Sequence, residues 1–118
     1  MTVSMYMEKV SATNIDSELV EKISEEYDVK LPELVEKLIS VSGKGAFVDG
    51  YRFLSFSEIL YAEEDWGISL KKKKIIPIVD CSDNDFIVYN ACEKEWQMYN
   101  IVDEISFRHT DEFTDLLQ

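Results

Sequence analysis

Apolar residues recur along the chain with two different periods, and the change from one to the other predicts the architecture. Between Asn14 and Tyr27 the positions Ile15, Leu19, Ile23 and Tyr27 fall four apart, with Val20 beside Leu19. That spacing places one stripe on a helix whose other face is Glu18, Glu21, Lys22 and Glu25. Thr13 or Asn14 is suited to cap it, and Asp16 lies in the first turn, where the helix dipole favours an anion. Pro32 opens a second helix, since proline at the first helical position forgoes an N–H that would be unpaired there anyway. Leu31, Leu34, Val35, Leu38 and Ile39 form its buried stripe, and Gly43 stands where a left-handed C-cap belongs. Residues 1–13 show no sustained period, so 1–14 is expected as a loose lead-in to a domain spanning 15–118.

After Gly45 the period shortens. Asp49-Gly50 lies between the β-prone runs Ala46–Val48 and Tyr51–Leu54, a strong hairpin signal because a type I′ turn needs positive φ at both central residues. Ser57 is expected to cap a short helical segment through Glu58–Tyr61, fraying at Glu63-Glu64-Asp65 and ending at Trp66-Gly67. Lys71–Lys74 is expected as a solvated loop before the strand Ile75–Val79, where Pro77 implies an edge position or a strand start. Strands follow at Phe86–Asn90 and Glu95–Asn100, joined by the loop Ala91–Lys94. Alternation of Trp96 and Met98 with Glu95, Gln97 and Tyr99 predicts a sheet with one wet face. Ile101–Phe107 continues or adds a strand, and Thr110 is expected to cap a last helix containing Phe113, Leu116 and Leu117. No internal repeat or linker is seen. The pattern predicts one α+β domain whose sheet is flanked by N-terminal helices and a C-terminal helix.

Charge sharpens this picture. Twelve Lys and Arg face 24 Asp and Glu, a net of −12. Residues 80–118 hold 2 basic and 10 acidic groups, a net of −8, whereas residues 1–45 carry −4 and residues 46–79 carry none. So acidic a chain repels nucleic-acid phosphates and anionic membranes, which leaves two readings of the charge, attraction to a basic protein surface or a role in solubility alone. The opening MTVSMYMEKV lacks the basic-then-apolar pattern of a secretory signal. No apolar run approaches the roughly 18–20 residues that span a bilayer, so a cytoplasmic protein is expected. Cys81 and Cys92 form no CxxC pair and are expected as free thiols.

Catalytic motifs are missing. His109 is the one histidine and is read as a surface or capping residue. With Cys81 and Cys92 it does not supply zinc-ligand spacing, so no metal and no cofactor are expected. Gly43, Gly45, Gly50 and Gly67 form no phosphate-binding motif. Asp80–Asp85 resembles the start of a calcium loop but lacks its glycine and a preceding helix, which favours a polar turn. No carboxylate pair is favoured for acid-base work, and no catalytic residue is assigned.

The order of several short motifs resembles a known family. Glu25-Glu26-Tyr27 is followed by Val29-Lys30-Leu31-Pro32-Glu33, then by Leu38–Gly43 with Ser42 where Asn is commoner. Ile76-Pro77-Ile78, the turn Asp83-Asn84-Asp85-Phe86 and the closing Asp111–Leu117 follow in sequence. Together these resemble the SUKH superfamily, which includes bacterial immunity proteins and fungal regulators of cell-wall synthesis. The resemblance implies an α+β fold with a mixed, largely antiparallel sheet flanked by helices, and no shared catalytic residues. It implies an immunity-type protein that neutralises a cognate polymorphic toxin, nucleases among them, by non-catalytic binding. The alternative is a regulatory or scaffolding module with a cellular client. A nuclease presents a basic surface to its substrate, and the charge of the last third would complement it. The expected contacts are Asp80, Asp83, Asp85, Glu93, Glu95, Asp103 and Glu104, with Trp66 or Tyr99 as anchor. The expected state is a monomer or weak homo-oligomer.

Overall fold

The computed structural model describes residues 1–117, the side chain of Ser42 excepted, so the Ser42 motif position falls partly outside what is described. Three helices come first: α1 Val3–Ala12, α2 Ser17–Tyr27 and α3 Glu33–Ser42. The hairpin β1 Ala46–Val48 and β2 Tyr51–Phe53 follows, then α4 Phe56–Trp66. Strands β3 Ile75–Asp80, β4 Asp85–Asn90, β5 Glu95–Asn100 and β6 Ile105–Thr110 complete the sheet, and Phe113–Leu116 forms a closing 3₁₀ turn. The result is one α+β domain. The sheet is a six-stranded meander in sequence order, antiparallel at every pairing. Among the described residues no helix is long and apolar enough to cross a membrane.

Residues 1–14 are not a loose lead-in. Val3, Tyr6, Met7 and Val10 repeat at helical spacing, and burial of Tyr6 and Val10 fixes α1 against the core. Thr2 caps it by accepting from the Met5 N–H, and Asp49 in the hairpin turn accepts from the Val3 N–H at 2.8 Å. Asp16, not Thr13 or Asn14, caps α2, accepting from the Glu18 and Leu19 N–H groups. Ile15 is consequently left outside the helix and exposed. In α4 the cap is Ser55, two residues before the expected Ser57, because Ser55 and Glu58 hold the spacing of a reciprocal capping box. That helix continues through Glu63-Glu64-Asp65 to a left-handed Gly67.

The turn at Asp49-Gly50 is as expected, with φ of 48° and 83°. Strands β3 to β6 start at residues 75, 85, 95 and 105, a ten-residue strand-and-turn repeat that was not seen in the sequence. Pro77 sits inside the sheet, between β2 and β4. It is tolerated because β2 pairs only with Val79 and Asp80, leaving that flank of β3 without a strand partner at Pro77. The wet face predicted for β5 is absent. Gln97 is 1% exposed and Tyr99 3%, since Trp66 packs on Phe86 on their side of the sheet while Phe113 packs on Trp96 on the other. The expected C-terminal helix is a single 3₁₀ turn because Thr110 is used to end β6, and Phe113 and Leu116 are buried directly.

Aromatic rings hold the layers together. Tyr6 lies 4.5 Å from Phe53, Phe53 6.1 Å from Phe113, Phe113 4.6 Å from Trp96, and Trp96 5.3 Å from Tyr89. The chain of contacts links α1, β2, the 3₁₀ turn, β5 and β4. The four-lysine run also fastens the fold, contrary to its expected role as a solvated loop. Lys71 reaches Glu26 of α2 and Glu64 of α4 at 2.9 and 2.7 Å, and Lys74 reaches Asp28 at 3.1 Å.

Candidate functional site

Three turns and one helix end meet at a single end of the sheet. Arg52 of β2 is in register with Asp80 of β3, which sets the Asp49-Gly50 turn beside the loop 81–84. The antiparallel meander then carries the loop 91–94 to the opposite end and returns the loop 101–104 to this one. The Ile101 N–H donates to the Asn84 carbonyl at 2.9 Å, joining the two loops. α4 contributes Trp66 from its last turn. Between these parts lies an open cleft of about 550 Å³ lined by Phe47, Arg52, Trp66, Asp80, Asp83, Phe86 and Ile101.

Its apolar side is graded in depth. Phe86 is buried and forms the floor, with the half-buried Trp66 ring 4.4 Å away. Phe47 stands at the lip with 76% of its surface exposed. Removing so large a ring from water would contribute about 2 kcal/mol to any association that covered it.

The polar side is set by Arg52. Its guanidinium donates to Glu58 and, at 3.1 Å, to Asp80. The Glu58 hydrogen bond, followed by Asp80, keeps Arg52 protonated more firmly than usual against the opposing effect of burial. Burial pushes the Glu58 carboxyl up, but the Arg52 hydrogen bond and the Ser55 N–H hold it below its ordinary value. Asp83 and Asp103 form no ion pair among the described residues. The loop is held in shape by Asp80, which accepts from the Ser82 N–H at 2.9 Å. Ser82, Asp83 and Asn84 have φ of 77°, 56° and 66°, a left-handed run whose cost, about 1 kcal/mol per residue, is lowest for short polar side chains such as Asp and Asn.

The nine residues expected as contacts divide between three places. Asp80, Asp83, Asp85, Asp103 and Glu104 lie at the cleft end, with Trp66. Of these, Asp80 is engaged by Arg52, Asp85 accepts from Asn100 at 2.9 Å, and Glu104 lies 3.6 Å from Lys73. Glu93 and Glu95 lie at the far end. Tyr99 is buried, its hydroxyl accepting from Lys73 at 3.3 Å, so its ring is not at the surface. Phe47, Arg52, Phe86 and Ile101 were missed. Phe47 and Val48 are adjacent in a strand, so one must face out, but nothing in the sequence says which.

At the far end His109 meets Glu93 and Glu95, and these are the residues whose ligand atoms could hold a metal ion, all lying within 4.8 Å of one another. The Gln97 amide donates to both carboxylates at 2.9 Å. That bond first, then His109, holds the Glu95 carboxyl below its usual range. The thiols are free and lie at opposite ends of β4, with Cys81 pushed up to about 11 by burial.

No protein-family model, curated protein or solved structure matches the chain.

Proposed function

We propose that the protein acts by binding another protein, without catalysis, and that the cleft end of the sheet is its contact face. The observation that carries this reading is the exposed Phe47, which lines one cleft with Trp66 and with Asp83, a carboxylate without an ion pair among the described residues. A projecting aromatic over a shaped apolar floor, with charge at the rim, is the anatomy of an interface anchor. The net −12 of the chain favours a basic partner and rapid capture. Together with the resemblance to SUKH domains, this supports an immunity-type protein that neutralises a polymorphic toxin with a basic surface.

The test is to identify the neighbouring gene and, where it encodes a large toxin, to co-express the protein with that toxin's toxic domain. Growth should be restored, and restoration should be lost with F47A/D83N although that variant folds. Continued cell death at full expression of the folded wild-type protein would reject the assignment and turn attention to a cellular client.

A further inference from the structure

We propose that the cleft is built to receive one arginine side chain, presented on a loop of the partner. This rests on the binding reading above and specifies what the contact face recognises. Three charged side chains line the cleft, Arg52, Asp80 and Asp83, one cation against two anions, and Glu58, outside the lining, also pairs with Arg52. Arg52 is already held by two carboxylates, so it satisfies Glu58 and Asp80 and leaves Asp83 uncompensated. A site with surplus negative charge and aromatic walls selects a cation with an apolar stem. The guanidinium suits it better than an ammonium, because its plane can lie on the Trp66 ring while its fork meets a carboxylate through two hydrogen bonds. Phe47 at the lip would cover the aliphatic stem. The volume of about 550 Å³ exceeds one side chain and leaves space for the residues on either side of it. The left-handed run at 82–84, tied to Ile101 through the Asn84 carbonyl, sets the backbone that carries Asp83. Lysine-rich or phosphate-bearing partners would not use these features together.

The probe is the capped pentapeptide acetyl-Gly-Gly-Arg-Gly-Gly-amide, titrated into the intact ¹⁵N-labelled protein and followed by NMR. Its citrulline isostere, equal in shape and without charge, is the comparison. The arginine peptide should move the Trp66 indole and the amides of 82–84 in the millimolar range, leaving the buried Trp96 indole still. Citrulline should bind about five- to tenfold more weakly. D83N, which keeps a residue tolerant of the left-handed conformation, should bring arginine down to the citrulline level, whereas E93Q at the far end should change nothing. Equal binding of the two peptides, no movement at Trp66, or shifts centred on Glu93, Glu95 and His109 would each overturn the proposal. Those results would leave the binding function standing. Failure of growth rescue beside a positive titration would reject the function and retain the cleft's preference.

Discussion

Glu63 offers the sharpest test of how the chain holds the segment between α4 and β3. One oxygen of its carboxylate accepts from the N–H groups of Leu70 and Lys71, both at 2.9 Å. Leu70 is fully buried, so these bonds seat a core residue as well as a turn. A hydrogen bond to a charged acceptor contributes about 1.5–3 kcal/mol when sheltered. Glu63 is only half-buried, and solvent screening reduces that contribution. We expect E63A to lose about 1–2 kcal/mol, lowering the urea midpoint by about 1 M. E63Q keeps an uncharged acceptor and should lose about half as much. The Lys71 and Leu70 N–H groups hold the Glu63 carboxyl below its ordinary value of 4.5. A depressed folded value means that the unfolded chain takes up the proton more readily. The stabilisation is therefore complete above the ordinary value and fades as the pH falls through the folded one. Urea titrations of wild type and E63Q at pH 7 and at about pH 3 measure it, other carboxylates cancelling in the difference. A gap of the same size at both pH values, or no gap at pH 7, would refute the reasoning.

Other predictions follow from the core. Tyr6 and Tyr27 form a matched pair: the buried Tyr6 hydroxyl has no hydrogen-bond partner among the described residues, whereas Tyr27 donates to the Ile59 carbonyl at 2.7 Å. Y6F should be neutral or stabilising by up to about 1 kcal/mol, and Y27F should cost about 1–2 kcal/mol; thermal melts giving the reverse order would contradict the assignment. Deleting residues 1–12 removes Tyr6 and Val10 from the core and uncovers Phe53, and should cost about 3–5 kcal/mol. An unchanged melting temperature would mean that α1 does not pack as described.

Legibility in the sequence followed the chemistry of each segment. The Asp49-Gly50 hairpin could be read because glycine at positive φ is an unambiguous signal. The later turns hide theirs, since Lys74, Lys94 and Glu104 take positive φ where glycine would have announced a turn, and Arg108 does the same at an irregularity within β6. The ten-residue repeat was written instead in Asn90 and Asn100, each of which accepts from the N–H groups two and three residues on. α1 was missed because its stripe includes Met7 and is interrupted by serines. The acidic residues of the last third stand close together in the sequence, yet an antiparallel meander sends alternate turns to opposite ends, which separates Glu93 and Glu95 from Asp83 and Asp103. Strand register together with the packing of α4 on the sheet brings Phe47 and Trp66, 19 residues apart in the chain, to one cleft.

The proposal that one end of this sheet does the binding is tested most directly by measuring affinity for the toxic domain proposed as its partner with two double variants. F47A/D83N alters the cleft, and E93Q/H109Q alters the far end. The account predicts that the first weakens binding by about 30-fold or more and that the second leaves it within about twofold. Full affinity in F47A/D83N, with the loss falling on E93Q/H109Q, would contradict it.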